Sequence, residues 1–334
     1  MIDTKLISII KELRVPKVIL RYIMMNFLDL TTINKLLLTV KEMNVLDQYS
    51  KDFLEKAHRG FMWNCENGHL AVAKWLYAAR KTNDYYNELA FKNSCKNGHL
   101  LVAQWLITLG KINIHVDNEY AFRSCCRNGH LAVAQWLLEL GTSYSINNVN
   151  IYVCDDYAFR LSCKHGYLVV AQWLHSIGNV NIHAIDEYAF RFSCENGYID
   201  SAQWLYALGA VNIYANNGHA LKMSCANGHL AVVQWLCGLK SIERTNYEDE
   251  QLAFQMACKN GHLDVAKWLY STRDIDIHAN HEYSFKWSCR YDHLTIAQWL
   301  YSLGRINIYA NNKLVFNMAC GDTLKWLNSL KINK

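Results

Sequence analysis

The sequence predicts an all-α fold of about nine stacked helical hairpins joined by extended finger loops, preceded by a small helical N-terminal module. Three observations predict it. First, a ten-residue step from Cys to Trp, Cys65-Glu-Asn-Gly-His-Leu-Ala-Val-Ala-Lys-Trp75, returns at Cys95/Trp105, Cys126/Trp136, Cys163/Trp173, Cys194/Trp204, Cys225/Trp235, Cys258/Trp268 and Cys289/Trp299. A ninth copy, Cys320 to Trp326, has lost four residues of the turn. Second, these cysteines follow one another at 30, 31, 37, 31, 31, 33, 31 and 31 residues, a period of 31 with two loop insertions, the larger around Thr142 to Val153. Third, each period carries two apolar faces of helical spacing, each stopped by Gly. Such units cannot bury their apolar faces alone, so stability must come from stacking.

Residues 1–48 come first and lie outside the period. They lack the basic and apolar regions of a signal peptide, and the apolar window Val18 to Val40 is broken by Arg21, Asp29 and Lys35, which reads as amphipathic helices rather than a membrane span. Proline at position 16 fits the first turn of a helix. From residue 49 the repeat runs to the C-terminus. Its first helix is shown by Glu187-Tyr-Ala-Phe-Arg-Phe-Ser-Cys194, which puts Phe190 and Cys194 on one face and ends at Asn-Gly. The second helix, Ile199 to Leu208, places Ile199, Ala202, Trp204, Leu205 and Leu208 on a broad apolar face. Val211-Asn-Ile-Tyr-Ala-Asn-Asn then reads as an extended, polar-tipped finger leading to the next hairpin.

Composition narrows the function. With 334 residues, 51% hydrophobic and only 19% charged, most of the chain is globular, and a net charge of +5 is too small and dispersed to imply a nucleic-acid or membrane surface. Twelve cysteines in a long chain with no export signal indicate a reducing compartment rather than a disulfide framework. The expected location is intracellular.

The Gly-His-Leu turns (Gly68-His69-Leu70, Gly98-His99-Leu100, Gly129-His130-Leu131, Gly228-His229-Leu230, Gly261-His262-Leu263) and the Val-Asn-Ile or Ile-Asn-Ile that precede each first helix resemble ankyrin repeats, from about Tyr49 onward. The dialect is similar to the ankyrin proteins that giant viruses of amoebae encode in expanded sets. It departs from the family in a period two residues short, and in Tyr120-Ala121-Phe122-Arg123 where the family has Thr-Pro-Leu-His. Aromatic packing is expected to replace that hydrogen-bond device. The resemblance implies a non-catalytic scaffold binding a protein partner on a concave face made of first helices and finger tips. Positions that vary between units while the core does not are the candidates: Lys96, Arg127, Lys164, Glu195, Lys259 and Arg290 beside the inter-helix turn, and Asp117, Asp186 and Asn217 in the fingers.

Several patterns mimic chemistry. Cys-x3-His, as in Cys65/His69 and Cys225/His229, looks like a row of zinc half-sites, but a structural zinc needs four ligands at about 2.3 Å, stacked helices lie about 8–10 Å apart, and Tyr167 and Tyr198 replace the His in two units. The cysteines are expected to pack as small hydrophobes, with no metal or other cofactor. A basic row, Lys92, Arg123, Arg160, Arg191, Lys222 and Lys286, is expected to be neutralised along each helix by Glu88, Glu119, Asp156, Glu187 and Glu282 in i, i+4 pairs. The tryptophans are expected in the core. His115, His183 and His278 are expected on finger surfaces, and no catalytic motif is present.

The segment Val15 to Met43 also resembles an F-box, the helical module that docks on the adaptor subunit of cullin-type ubiquitin ligases. Matching positions are Pro16 at a helix start, Ile19, Leu20 and Ile23 as apolar anchors, Phe27-Leu28, and Val40-Lys41. The spacing is one residue long, and no acid follows Pro16. The other reading of residues 1–48 is a cap over the open apolar end of the stack.

Overall fold

The computed structural model describes residues 60–79, 84–110, 112–143, 148–239, 247–304, 306–308 and 310–332. The cap and F-box positions of residues 1–48 lie outside them. The chain divides into two compact units, Met1–Asn150 and Ile151–Lys334, and the division falls in the insertion the repeat spacing locates. In the first unit the described helices are α1 (60–66), α2 (Leu70–Ala79), α3 (Asp84–Lys96), α4 (Leu100–Thr108), α5 (Val116–Arg127) and α6 (Leu131–Ser143). In the second they are α7 (Val153–Lys164), α8 (Leu168–Ile177), α9 (Ala184–Glu195), α10 (Ile199–Ala207), α11 (Ala215–Ala226) and α12 (Leu230–Gly238), followed by α13 (Tyr247–Lys259), α14 (Leu263–Thr272), α15 (Ala279–Arg290), α16 (Leu294–Ser302), α17 (Ala310–Met318) and α18 (Gly321–Ile332). No strand occurs among the described residues. Odd-numbered helices open each hairpin and even-numbered ones close it.

The hairpin core follows from the repeat's smallest residues. In α9, Ala189, Phe190 and Cys194 are buried, and in α10 Ala202 and Leu205 meet them. Phe61, Phe91, Phe122, Phe159, Phe254 and Phe285 hold the equivalent place in other hairpins, each fully buried, and Leu221 holds it in α11. Ala and Cys let the helices approach, and this large apolar residue fills the remaining volume. Leu208, expected on this face, is 36% exposed. The repeat tryptophans from Trp105 to Trp326 differ from expectation too, being half-buried rather than internal. Several lie against aromatic rings of the preceding hairpin, as Trp235 does, tilted on Phe190 at 6.2 Å and edge-on to Tyr206 at 5.8 Å. An indole is too wide for the helix-to-helix space and seals the seam between neighbouring second helices.

Neighbouring first helices pack closely, α7 on α9, α9 on α11 and α11 on α13, whereas second helices touch only marginally. Within the second unit this curves the stack toward its first helices. Buried hydrogen bonds fasten the row. In three hairpins of the second unit the serine before the repeat cysteine donates to its own helix and to the carbonyl of the preceding hairpin's cysteine: Ser193 to Cys163 (3.2 Å), Ser224 to Cys194 (2.9 Å) and Ser288 to Cys258 (3.2 Å). In the first unit Ser94 does the same to Cys65 at 3.1 Å.

The Asn-Gly-His turns also tie hairpins together. Gly197 has φ +77, and the ring of His229 lies so close that a Cβ there would be 2.5 Å from its Nδ1. The asparagines Asn97, Asn128, Asn227 and Asn260 donate to the last-turn carbonyls of Glu66, Lys96, Glu195 and Ala226 in the hairpin before. His293 Nε2 donates to Lys259 O at 3.0 Å. Helix-end carbonyls that would otherwise lack partners are thus capped from the next repeat.

Candidate functional site: the first-helix face and its finger turns

The fingers are extended over only about three residues before the chain turns. Three consecutive residues then take left-handed angles at the start of the next first helix: Asp117–Asn118–Glu119, Cys154–Asp155–Asp156, Ile185–Asp186–Glu187, Asn216–Asn217–Gly218 and Asn280–His281–Glu282. That conformation costs about 1–2 kcal/mol per non-glycine residue, so something must hold it. Two devices do. The Arg191 guanidinium donates to the carbonyls of Asp186 (2.6 Å) and Ile185 (3.1 Å), and Arg123 does the same to Asn118 and Asp117. The acid at the turn's end is buried and bridges to the following finger: Glu187 Oε1 accepts from His183 Nδ1 (2.8 Å) and from the Asn212 backbone N–H (3.2 Å). Glu119 accepts likewise from His115 and Asn150, and Asp156 from Asn181. Burial pushes the Asp156 carboxyl above the usual carboxylate range.

These bonds correct two expectations. Lys92–Glu88, at 3.6 Å, shows the expected i, i+4 ion pair; Glu119, Asp156 and Glu187 serve the fingers instead, because their place at the helix start points them inward. His115, His183 and His278 hold Glu119, Glu187 and Glu282, and His115 is mostly buried. Lys92 and Lys222 reach across the repeat instead, to Asp117 (2.8 Å) and Asp249 (2.6 Å), and the Asp117 hydrogen bond raises the Lys92 pKa.

Of the candidate residues, Asp117, Arg127, Asp186, Asn217 and Arg290 are exposed, and Lys96, Lys164, Glu195 and Lys259 are half-buried. Lys96, Asp117 and Arg127 belong to the first unit and the other six to the second. The second unit pairs each half-buried candidate with the next first helix. Lys164 Nζ lies 4.2 Å from the Phe192 ring centroid and donates to the Tyr188 hydroxyl at 3.3 Å. Glu195 meets His219 at 2.6 Å. Lys259 and Arg290 converge on Trp287, at 5.0 and 4.9 Å from its centroid. The aromatic partners Tyr188, Phe192, Trp287 and Tyr291 escaped the sequence reading. A signal was present: two residues before each repeat cysteine the chain varies as Leu161, Phe192, Met223, Met256 and Trp287, beside a cysteine that never varies.

The repeat cysteines are packing residues. Burial pushes the Cys65 and Cys289 thiols up to about 12 and raises those of Cys163, Cys194 and Cys258 further. No group of three or more His, Cys, Asp or Glu among the described residues is placed to hold a metal ion. No described helix is long and apolar enough to cross a membrane.

A row of hairpins with a recurrent core and a varied first-helix face defines a helical-repeat fold. Residues 27–149 match the family model for ankyrin repeats in three copies. The same hairpin recurs through the second unit, and the fold is an all-helical ankyrin-repeat stack. No curated protein matches the chain in sequence.

Proposed function

We propose that the chain is a non-catalytic scaffold whose first helices and finger turns bind a protein partner in an intracellular, reducing setting. Ankyrin repeats are general protein–protein interaction modules. The observation that carries the reading is a contrast between neighbouring positions: the repeat Cys never changes and the positions before it keep to Phe or Leu, and to small residues, with few exceptions, whereas Lys164, Glu195, Ala226, Lys259 and Arg290 occupy one equivalent place with different charge. The test is photo-cross-linking from a reactive amino acid placed at Arg127, Asp186 or Arg290, against the exposed second-helix positions Gln172 and Gln203. Adducts from the first set alone support the reading; equal adducts from both sets count against it.

The sequence supports a second reading for the N-terminus. Pro16, Ile19, Leu20 and Ile23 match an F-box, which would make the protein a substrate adaptor of a cullin-type ubiquitin ligase. Co-purification of the full chain beside a Pro16/Ile19/Leu20 triple variant tests it: recovery of the ligase adaptor subunit with the parent and its loss with the folded variant is the expected result.

A further inference from the structure

Resting on the scaffold reading, we infer that the junction of α13 and α15 is a docking site for an acidic peptide segment that carries an apolar residue beside its carboxylates. Lys259, from the end of α13, and Arg290, from the end of α15, both stand on the Trp287 indole. Tyr291 stacks on the same indole at 5.6 Å and 22°, and is 47% exposed. Tyr283 lies tilted against the same indole at 5.5 Å.

Neither cation has a carboxylate within ion-pair distance among the described residues, although acids are near in the chain. Each of those acids is engaged: Asp249 with Lys222, Glu282 with His278, and Asp292 with the backbone of Asp322 and Thr323. Two positive charges held only by neutral rings leave their carboxylate-binding geometry open, and Arg presents a planar fork suited to a carboxylate. The Trp287–Tyr291 platform supplies the apolar contact beside it. A nucleic-acid strand fits less well, because a phosphate track needs cations in succession and the row is interrupted by Ala226 one hairpin before Lys259 and by the Glu195–His219 pair beyond it.

The probe is a fluorescein-labelled glutamate-rich peptide with a central leucine, titrated against the full chain by anisotropy. A glutamine-for-glutamate peptide and a labelled oligothymidylate run beside it. The expected result is binding of the glutamate peptide that weakens about tenfold or more in Lys259→Ala/Arg290→Ala, and equally in Lys259→Gln/Arg290→Gln, which keeps apolar stem contacts. Lys267→Ala, on the exposed face of the second helix α14, leaves it within about twofold. Circular dichroism establishes that each variant is folded. Absence of binding, equal binding of the glutamine peptide, unchanged affinity in both double variants, or preferential binding of the oligothymidylate would each overturn the inference. Cross-links from Arg127 and Asp186 would still report on the scaffold reading separately.

Discussion

At Gly228 the backbone has φ +78, and a Cβ would stand 2.4 Å from Nδ1 of His262. Gly209 has φ +100 with open space around it. Gly228→Ala is therefore expected to cost about 2–5 kcal/mol, the sum of left-handed strain and overpacking, and Gly209→Ala about 1–2 kcal/mol from strain alone. Urea unfolding of the two variants compares them; equal losses would mean that the His262 contact carries no energy. Thiol accessibility gives a second outcome at this scale. Cys154 and Cys320 are exposed and should react with a thiol reagent in the native protein, whereas Cys163, Cys194, Cys225, Cys258 and Cys289 should react only on unfolding. Glycine and cysteine were the most legible residues in the sequence, since each has one physical reason for recurring. Trp was misjudged, because recurrence beside apolar neighbours does not tell a core from a seam.

Turns and fingers are the elements where sequence pattern and structure diverge most. An acid four residues before a base on a helix reads as an ion pair. Three left-handed residues at the helix start turn Glu119 and Glu187 into the finger instead, and nothing in the residue types announces that rotation. Histidine gives this scale its pH dependence. Burial lowers the pKa of His130 and His229 below the ordinary 6.5. Between that depressed value and 6.5 the unfolded chain binds more protons than the folded one, so their stabilisation is complete above pH 6.5 and declines as pH falls. Thermal midpoints taken from pH 7.5 down to 5.5 should drop, and His130→Gln/His229→Gln should flatten the slope. The serine bonds give a third test: Ser224→Ala removes the bond to Cys194 O inside the core and is expected to cost about 1–2 kcal/mol. The shortened last hairpin improvises its own cap. Asp292, where other turns have Gly, accepts from the Thr323 N–H at 2.8 Å, and those bonds hold its carboxyl below the usual range. That contribution is present above the ordinary carboxylate pKa and is lost as pH falls through the lowered one.

For the whole molecule, the 31-residue period foretold the hairpins and the insertion near residue 150, but the sequence was read as one repeat domain from residue 49 and the division of the chain at that insertion was not foreseen. The period could not foretell the first-helix aromatics, because a repeat reveals what is constant and partner surfaces are built from what is not. Energetics should follow the same linear order, with each hairpin in a unit supported by its immediate neighbours. Phe285 is fully buried in α15 and packs against Trp326 of α18. Phe285→Ala is expected to cost about 3–5 kcal/mol. Hydrogen exchange should show the loss as opening of α15 to α18 while α7 to α9 stay protected; uniform acceleration across the second unit would contradict neighbour-limited coupling.

The asparagine turns also bear on chemical ageing. Asn-Gly sequences lose ammonia when the glycine N–H attacks the asparagine side-chain amide, a reaction that leaves an altered backbone. In Asn67, Asn97, Asn128, Asn196, Asn227 and Asn260 that amide is held on a backbone carbonyl, so attack must wait for the turn to open. Asn217-Gly218, exposed at a finger tip, is where the folded protein should age first.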